Sequence, residues 1–492
     1  MLPKRVVCSC EPLSFFVVLI KVDACEISSK IEKREVIINL SLAAYGGKYM
    51  LQIKNLTITH VKDNRALLQD LNFVLNDGDK AAIIGEEGNG KSTLLKLIYD
   101  ETLVENYVEY SGEIIRKQMH IGYLPQELPI EKKESTVYEF MCETPLFYEI
   151  ASGELAQISR QLHIPLEIFY SDQLLRQLSG GEKIKLQLAR LMINKPDVLL
   201  LDEPSNDLDI ATVEWLEQFI EECIIPVLYI SHDEMLLENT ANMVIHLEQI
   251  RRKTQPRATV AKLGYKDYVS QRNSGLAHQE QVARKERSDY AKQQEKFRQI
   301  QQKVEHQQNA ITRQNPHGGA LLKKTMHRVK AYEARFEKQY ENMTELPEIE
   351  DAIFIKFGAD ASVPNGKVVL DFKQTPVEFL TVIGSKEENS KIRTYLGSMK
   401  YTPDEMNHPI ADLSGGQKAK LLLLQMSMSG SNVLILDEPT RNFSPLSNPV
   451  IRQMLKGFDG AILSISHDRK YIKEVAEKVY ELTEKGLELK KE

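Results

Sequence analysis

The stretch Gly85-Glu86-Glu87-Gly88-Asn89-Gly90-Lys91-Ser92-Thr93 constrains this chain more than any other. It has the form G-x-x-x-x-G-K-S, follows the apolar run Ala81-Ala82-Ile83-Ile84 and precedes Leu94-Leu95-Lys96-Leu97-Ile98. A buried strand, a glycine-rich loop and a helix in that order read as a phosphate loop, not as an ordinary turn. The glycines let successive backbone N–H groups and the helix N-terminus converge on one polyphosphate. Lys91 adds a cation for the β- and γ-phosphates, and the Ser92 hydroxyl can hold Mg²⁺.

The partners such a loop needs follow in order. Over residues 50–250, apolar runs such as Val198-Leu199-Leu200-Leu201 and Val227-Leu228-Tyr229-Ile230 alternate with helical patterns such as residues 210–223. That alternation predicts an α/β domain with a mostly parallel core sheet. Within it, Leu178-Ser179-Gly180-Gly181-Glu182 opens a helical run and offers a second backbone nest, suited to a γ-phosphate. The strand Leu199-Leu200-Leu201 ends in Asp202-Glu203-Pro204. Asp202 can reach Mg²⁺ through water, and Glu203 can polarise the attacking water as general base. Tyr229-Ile230-Ser231-His232-Asp233 ends the next strand with a histidine that can contact the γ-phosphate, and Gln126 of Tyr123-Leu124-Pro125-Gln126 can complete the Mg²⁺ and water shell. A lone histidine or glutamine is ordinarily a satisfied polar residue; here each belongs to an ordered series of motifs.

These residues resemble the ATP-binding cassette (ABC) ATPases over residues 50–248. The phosphate loop from Gly85 to Thr93, Gln126, the signature Leu178-Ser179-Gly180-Gly181-Glu182, Asp202, Glu203 and His232 carry the resemblance. It implies ATP and Mg²⁺ as ligands. It also implies catalytic roles for Glu203, His232 and Gln126, and Mg²⁺ held by Ser92, Asp202 and Gln126. In this family two cassettes sandwich ATP head to tail, each signature completing the other's phosphate loop.

A second copy is present and incomplete. Leu413-Ser414-Gly415-Gly416-Gln417 repeats the signature, Val433-Leu434-Ile435-Leu436-Asp437-Glu438-Pro439 repeats the carboxylate strand, and Ile465-Ser466-His467-Asp468 repeats the histidine. Further back, Thr375-Pro376-Val377-Glu378-Phe379 matches Thr136-Val137-Tyr138-Glu139-Phe140, and Lys367-Val368-Val369-Leu370-Asp371-Phe372 looks like an opening strand. Between these anchors the first copy has about 80 residues, which hold the phosphate loop and the glutamine, and the second has almost none. The run Gly384-Ser385-Lys386-Glu387-Glu388-Asn389-Ser390-Lys391 is no substitute; with two acids where phosphate would approach, it reads as a solvated polar turn. One complete site is therefore expected: Lys91, Ser92, Gln126, Asp202, Glu203 and His232, closed by Ser414, Gly415, Gly416 and Gln417. The opposite, degenerate site would hold Ser179, Gly180, Gly181, Glu182, Asp437, Glu438 and His467. Loss of a core strand and its helix should also leave apolar surface bare.

Between the copies, residues 271–345 carry 15 Lys and Arg against 9 Asp and Glu, although the chain of 492 residues has a net charge of −7. Tyr290, Phe297, Val304 and Ile311 recur every seven residues, as do Leu322, Val329, Phe336 and Met343, on either side of Asn315-Pro316-His317-Gly318-Gly319. This predicts an antiparallel helical hairpin with a first arm of about 37 residues, roughly 55 Å long. Its basic cluster Arg313, Lys323, Lys324, Arg328 and Lys330 suits a nucleic-acid backbone, a plain spacer with a solvated charged face being the alternative.

The expected architecture is thus α/β: an extension at 1–49, a first ABC ATPase domain at 50–250, a basic helical hairpin linker at 251–346 and a truncated second ABC domain at 347–492. Residues 1–49 differ in texture, and Gly46-Gly47 precede Met50 where codons for glycine can spell a ribosome-binding site; translation is expected to start at Met50, with a genuine disordered extension as the alternative. Five scattered cysteines, Cys8, Cys10, Cys25, Cys142 and Cys223, show no metal spacing, which fits a reducing, cytoplasmic setting. The apolar run at residues 13–20 is far short of the ~20 residues that span a bilayer.

Two cassettes joined by a basic hairpin look like the ABC-F translation factors. That resemblance implies a monomer with its cassettes paired internally, bound to the large ribosomal subunit, its hairpin near the P-site transfer RNA. One branch of the family protects the ribosome from antibiotics, and Thr440-Arg441-Asn442-Phe443-Ser444-Pro445 looks similar to that branch. Asp207, where the family usually has histidine, departs from the pattern. A transporter ATPase subunit, a DNA-repair ABC ATPase and a decayed product remain open as alternatives.

Overall fold

The computed structural model describes residues 51–250, 255–310, 343–344, 373–381, 384–399, 401–428, 432–441, 443–483 and 486–489. The extension at 1–49, the expected hairpin turn and most of its second arm, the expected opening strand at 367–372 and Asn442 lie outside these residues. Two compact units divide the chain: Lys266–Ile349, and the rest.

The amino-terminal part of the larger unit runs β1 (Leu51–His60), β2 (Arg65–Leu75), β3 (Lys80–Ile84), α1 (Lys91–Tyr99), β4 (Val108–Ile115) and β5 (Ile121–Leu124). Helices α2 (Ile130–Lys133), α3 (Val137–Cys142), α4 (Leu146–Glu149), α5 (Ser152–Gln161) and α6 (Gly180–Ile193) follow. Then come β6 (Val198–Asp202), α7 (Ile210–Glu222), β7 (Val227–Ile230), α8 (Glu234–Thr240), β8 (Met243–Ile250) and β9 (Gln255–Ala261). Strands β1, β2 and β4 form an antiparallel sheet, and a six-stranded sheet has the order β5-β6-β7-β3-β8-β9. All its pairings are parallel except β8 with β9. Every residue of β3, β6 and β7 is buried, which is why these strands read as unbroken apolar runs and not as alternating ones. Strand β1 alternates instead, and its Leu51, Ile53, Leu56 and Ile58 join Leu200, Leu228, Ile230 and the α1 residues Leu94 and Ile98 in one core. Each such side chain contributes about 1.5–3 kcal/mol on burial. The phosphate loop is thereby clamped between β3 and α1.

The sheet extends past residue 250, where the sequence reading ended this domain, because β9 pairs with β8 through Ala261. Pro256 is tolerated there because β9 is the edge strand, where a missing N–H breaks no ladder.

In the smaller unit, α9 (Tyr265–Ala310) is a continuous helix of 46 residues, about 69 Å at 1.5 Å per residue and longer than the expected first arm. Gly275 alone does not interrupt it, since one interior glycine costs only about 1 kcal/mol.

The carboxyl-terminal part contains α10 (Pro376–Leu380), α11 (Lys386–Ser398), α12 (Gly415–Met428), β10 (Val433–Asp437), α13 (Asn448–Lys456), β11 (Ala461–Ile465), α14 (Arg469–Val475), β12 (Tyr480–Thr483) and β13 (Gly486–Leu489). The anchor pair read from the sequence has one local geometry. Thr375 caps α10 and Thr136 caps α3, each in a reciprocal bond with a glutamate three residues on, Glu378 and Glu139. The stretch read as a solvated turn is mostly helix: only Gly384 and Ser385 precede α11, whose N-cap Ser385 accepts from Glu388 N. Its two acids stabilise that first turn electrostatically.

Strands β10 and β11 pair in parallel, as β6 and β7 do, but in a sheet of two among the described residues. The bare apolar surface expected from the sequence is present. Val433, Ile435 and Leu463 are 52%, 77% and 63% exposed, whereas Val198, Leu200 and Leu228, at the matching positions, are fully buried.

Candidate functional site

Close packing at Gly85 and left-handed backbone at Gly88 and Gly90 account for the glycines of the phosphate loop. Gly85 has φ +145°, and a Cβ there would lie 2.2 Å from the Leu247 carbonyl oxygen. Asn89 holds the same carbonyl, its Nδ2 donating at 2.9 Å. Gly90 caps α1 in the left-handed region at φ +84°. Gly88 accepts from Arg65 at 2.9 Å, and Thr93 hydrogen-bonds Tyr107. The buried Lys91 ammonium donates to the carbonyls of Gly85 at 2.8 Å and Glu86 at 3.0 Å, so the cation sits over the loop.

The Ser92 hydroxyl donates to Asp202 Oδ1 at 2.9 Å, and the Tyr123 hydroxyl donates to Asp202 Oδ2 at 3.3 Å. Burial pushes the Asp202 carboxyl up, against the Ser92 bond, which lowers it. Beside it, Glu203 is held at φ +50°, a conformation that costs a non-glycine residue about 1–3 kcal/mol and is fixed here by Glu203 N donating to Ile230 O at 3.1 Å. Its carboxylate accepts from Asn206 Nδ2 at 2.6 Å and faces His232 Nε2 at 3.2 Å. Burial alone would raise Glu203, but the His232 and Asn206 bonds and the Lys91 charge bring it down to about 2. Glu203 is therefore an anion at neutral pH.

The other ring nitrogen of His232 contacts the Phe443 carbonyl at 2.7 Å, in the carboxyl-terminal part. At the phosphate loop, Gly416 N donates to Glu87 Oε2 at 2.5 Å and Lys420 Nζ pairs with Glu86 Oε1 at 2.7 Å. Ser414 and Gln417 form a capping box that opens α12 at this point, with Ser414 N donating to Gln417 Oε1 at 2.9 Å. Lys91, Ser92, Asp202, Glu203 and His232 are thus brought together with Ser414, Gly415, Gly416 and Gln417. Gln126 is not: exposed in the bend after β5, it makes no hydrogen bond to Ser92, Asp202 or Glu203. Pro125 removes the N–H that would continue the ladder, so the chain leaves the sheet before Gln126. Tyr123, two residues inside the strand, reaches Asp202 instead. The sequence reading assigned no site role to Tyr123, Asn206, Lys420 or the Phe443 carbonyl, although Tyr123 and Phe443 lie inside stretches that it quoted.

The other set of expected residues is arranged differently. Ser179 and Glu182 form a capping box at α6, and a Cβ on Gly180 would meet the Asp207 carbonyl at 2.6 Å. Asp437 is exposed where Asp202 is 1% exposed. Glu438 repeats the left-handed backbone of Glu203, at φ +44°. Burial pushes its carboxyl up to about 7, its His467 N contact at 3.3 Å being too weak to offset it. Burial also lowers His467. The two glutamates thus differ in charge state near neutral pH.

A raised carboxyl costs stability as pH rises. The unfolded side chain loses its proton near 4.5 and the folded one near 7, so native stability falls across that window. Replacing Glu438 by Gln is expected to flatten that fall and to add about 2–3 kcal/mol at pH 8 relative to the parent. Urea unfolding at pH 4.5 and pH 8 measures it; equal gains at both pH values would contradict the assignment.

The ABC transporter family model matches residues 68–206 and 257–441, more than half of the chain. This chain belongs to the ABC transporter family. Among curated ABC relatives, the ATP-binding protein Uup of Buchnera aphidicola (subsp. Acyrthosiphon pisum) is 25% identical, covering 89% of this chain and 81% of its own. The energy-dependent translational throttle protein EttA of Haemophilus influenzae is 25% identical over 87% of this chain and 91% of its own. The ribosome protection protein VmlR of Bacillus subtilis is 24% identical over 89% of this chain and 88% of its own. Among the described residues, no helix of this ABC protein is long and apolar enough to cross a membrane.

Proposed function

We propose that this chain is an ABC-F-type ATPase acting on the ribosome, with one hydrolytic site. The observation that carries the reading is the ionised Glu203 beside the Ser92–Asp202 pair, in a site whose second wall is the Ser414-Gly415-Gly416-Gln417 signature. In this reading the phosphate loop, residues Gly85 to Thr93, binds ATP. Lys91 takes the β- and γ-phosphates, and Glu203 accepts a proton from the attacking water, with His232 orienting that carboxylate. Ser92 and Asp202 supply two hard oxygen donors 2.9 Å apart, a pair that suits Mg²⁺ completed by phosphate oxygens and water. Mg²⁺ would neutralise charge developing on the phosphoryl group.

The second cassette is incomplete in this proposal: it gives its signature to the one site, while Asp437, Glu438 and His467 face no phosphate loop of their own. The domain division of the sequence reading stands as part of the proposal, with the first cassette taken to Ala261. The basic linker at 271–345, as a helical hairpin, contacts the large ribosomal subunit and the P-site transfer RNA. Two of the relatives named above have ribosomal or translational names, which supports this partner. Protection against antibiotics is the finer form of the proposal. One chain then works as a monomer, its cassettes paired internally.

Ribosome co-sedimentation of the Glu203→Gln chain tests this. Pelleting with ATP and not with ADP is the expected result. ATP retained without pelleting would overturn the ribosomal partner, and no ATP bound would overturn the nucleotide site.

A further inference from the structure

A G-x-x-x-x-G-K-S loop requires no acid at its variable positions, yet this one carries Glu86 and Glu87. Glu87 is committed to the carboxyl-terminal signature and Glu86 to the helix that it opens. Glu87 Oε2 accepts from Gly416 N at 2.5 Å. The neighbouring glycine leaves room for that approach, since a Cβ on Gly415 would lie 3.0 Å from the same oxygen. Glu86 pairs at 2.7 Å with Lys420, whose side chain is only 9% exposed. Glu86, Glu87, Ser414, Gln417 and Lys420 line one cleft. The backbone donor of the signature helix is therefore engaged by an anion that belongs to the opposing phosphate loop.

We infer that Glu87 sets the nucleotide preference of this site, acting as a covalently tethered competitor for the donor that a γ-phosphate requires. The inference rests on the ATP-site reading above and extends it to specificity. A triphosphate seated on Lys91 and Ser92 places its terminal phosphate at the signature, where it meets both an occupied N–H and a like charge. Glu87 must leave before the site closes on it. A diphosphate ends short of Gly416 and displaces nothing. Glu86 and Lys420 keep the signature helix docked on the loop in either case. The carboxylate thus weakens ATP selectively and narrows the advantage of ATP over ADP.

Glu87→Gln keeps the shape, removes the charge and leaves a weaker neutral acceptor. Titration of the full chain with mant-ATP and mant-ADP in the presence of Mg²⁺ reads the effect. ATP affinity is expected to rise about tenfold, the scale of one charge-assisted hydrogen bond, while ADP affinity stays unchanged. Glu87→Asn, too short to reach Gly416, is expected to show the same split, and an unchanged thermal midpoint certifies the fold of each variant. Equal shifts for both nucleotides, or none, would overturn the role of Glu87 while leaving the nucleotide site intact. A parent chain that binds neither nucleotide would overturn the nucleotide reading itself, and this inference with it.

Discussion

Replacing Glu203 by Gln is expected to lower ATP turnover by about a thousandfold while one ATP per chain remains bound. The side chain is held as an anion by His232 and Asn206 and lies next to the Ser92–Asp202 pair, which supports the proposed role of taking a proton over one of binding the phosphates directly. General-base catalysis is worth about 10²–10⁴ in rate. The loss should therefore appear in kcat with little change in KM. Phosphate release under multiple turnover, together with filter-retained ATP per chain, checks both parts. Two ATP retained per chain, or turnover reduced less than about tenfold, would refute the single-site assignment. Glu438→Gln should leave turnover essentially as it was, because that carboxyl, pushed up to about 7, belongs in the proposed assignment to the degenerate site.

The second large effect concerns how the two parts of the larger unit hold together. Arg452 of α13 donates to Glu234 of α8 at 2.5 and 3.3 Å, and both side chains are 5% exposed or less. Lys470 contacts Glu234 at 3.1 Å and Glu238 at 2.6 Å. Arg469 pairs with Glu217 and Asp233. Acids on the amino-terminal side thus meet bases on the carboxyl-terminal side. Burial pushes the Glu234 carboxyl up, against the pull of Arg452 and Lys470, so its charge depends on those partners. Arg452→Met should destabilise the chain by about 3 kcal/mol, chiefly by leaving the buried Glu234 carboxylate with Lys470 as its one remaining cation of this pair. Adding Glu234→Leu should recover most of that loss, because an apolar pair of similar volume replaces a desolvated ion pair at little cost. Urea denaturation of the single and double variants measures this, and a double variant no more stable than Arg452→Met would contradict it.

Part of this site is legible in contiguous sequence, and part is not. The phosphate loop, the strand ends at Asp202 and Asp437 and the capping boxes at Thr136, Ser179, Thr375 and Ser414 depend on residues three or four positions apart. Their geometry follows from glycine conformations and helix N-termini that each segment builds for itself. Gln126 shows where that logic stops, because its motif position says nothing about the direction in which Pro125 sends the chain. The reading of 384–391 as a turn failed for a related reason: two acids that repel phosphate are also good first-turn helix residues, and the sequence does not say which role prevails.

By itself, then, the sequence determined that this chain contains a phosphate loop, two signature turns and two carboxylate strand ends in an α/β frame. The tertiary structure decided which of those elements share a site and in what charge state. His232 meets Phe443 across 211 residues of chain, and Glu87 meets Gly416 across 329. Glu203 and Glu438 sit in near-identical local motifs, yet one is lowered to about 2 and the other raised to about 7. The difference lies in the neighbours that packing brings to each carboxylate: His232 and Asn206 bond Glu203, with the Lys91 charge nearby, and burial without comparable partners governs Glu438. Hydrogen bonds and charges act through distances in space, and a linear motif carries no record of those distances.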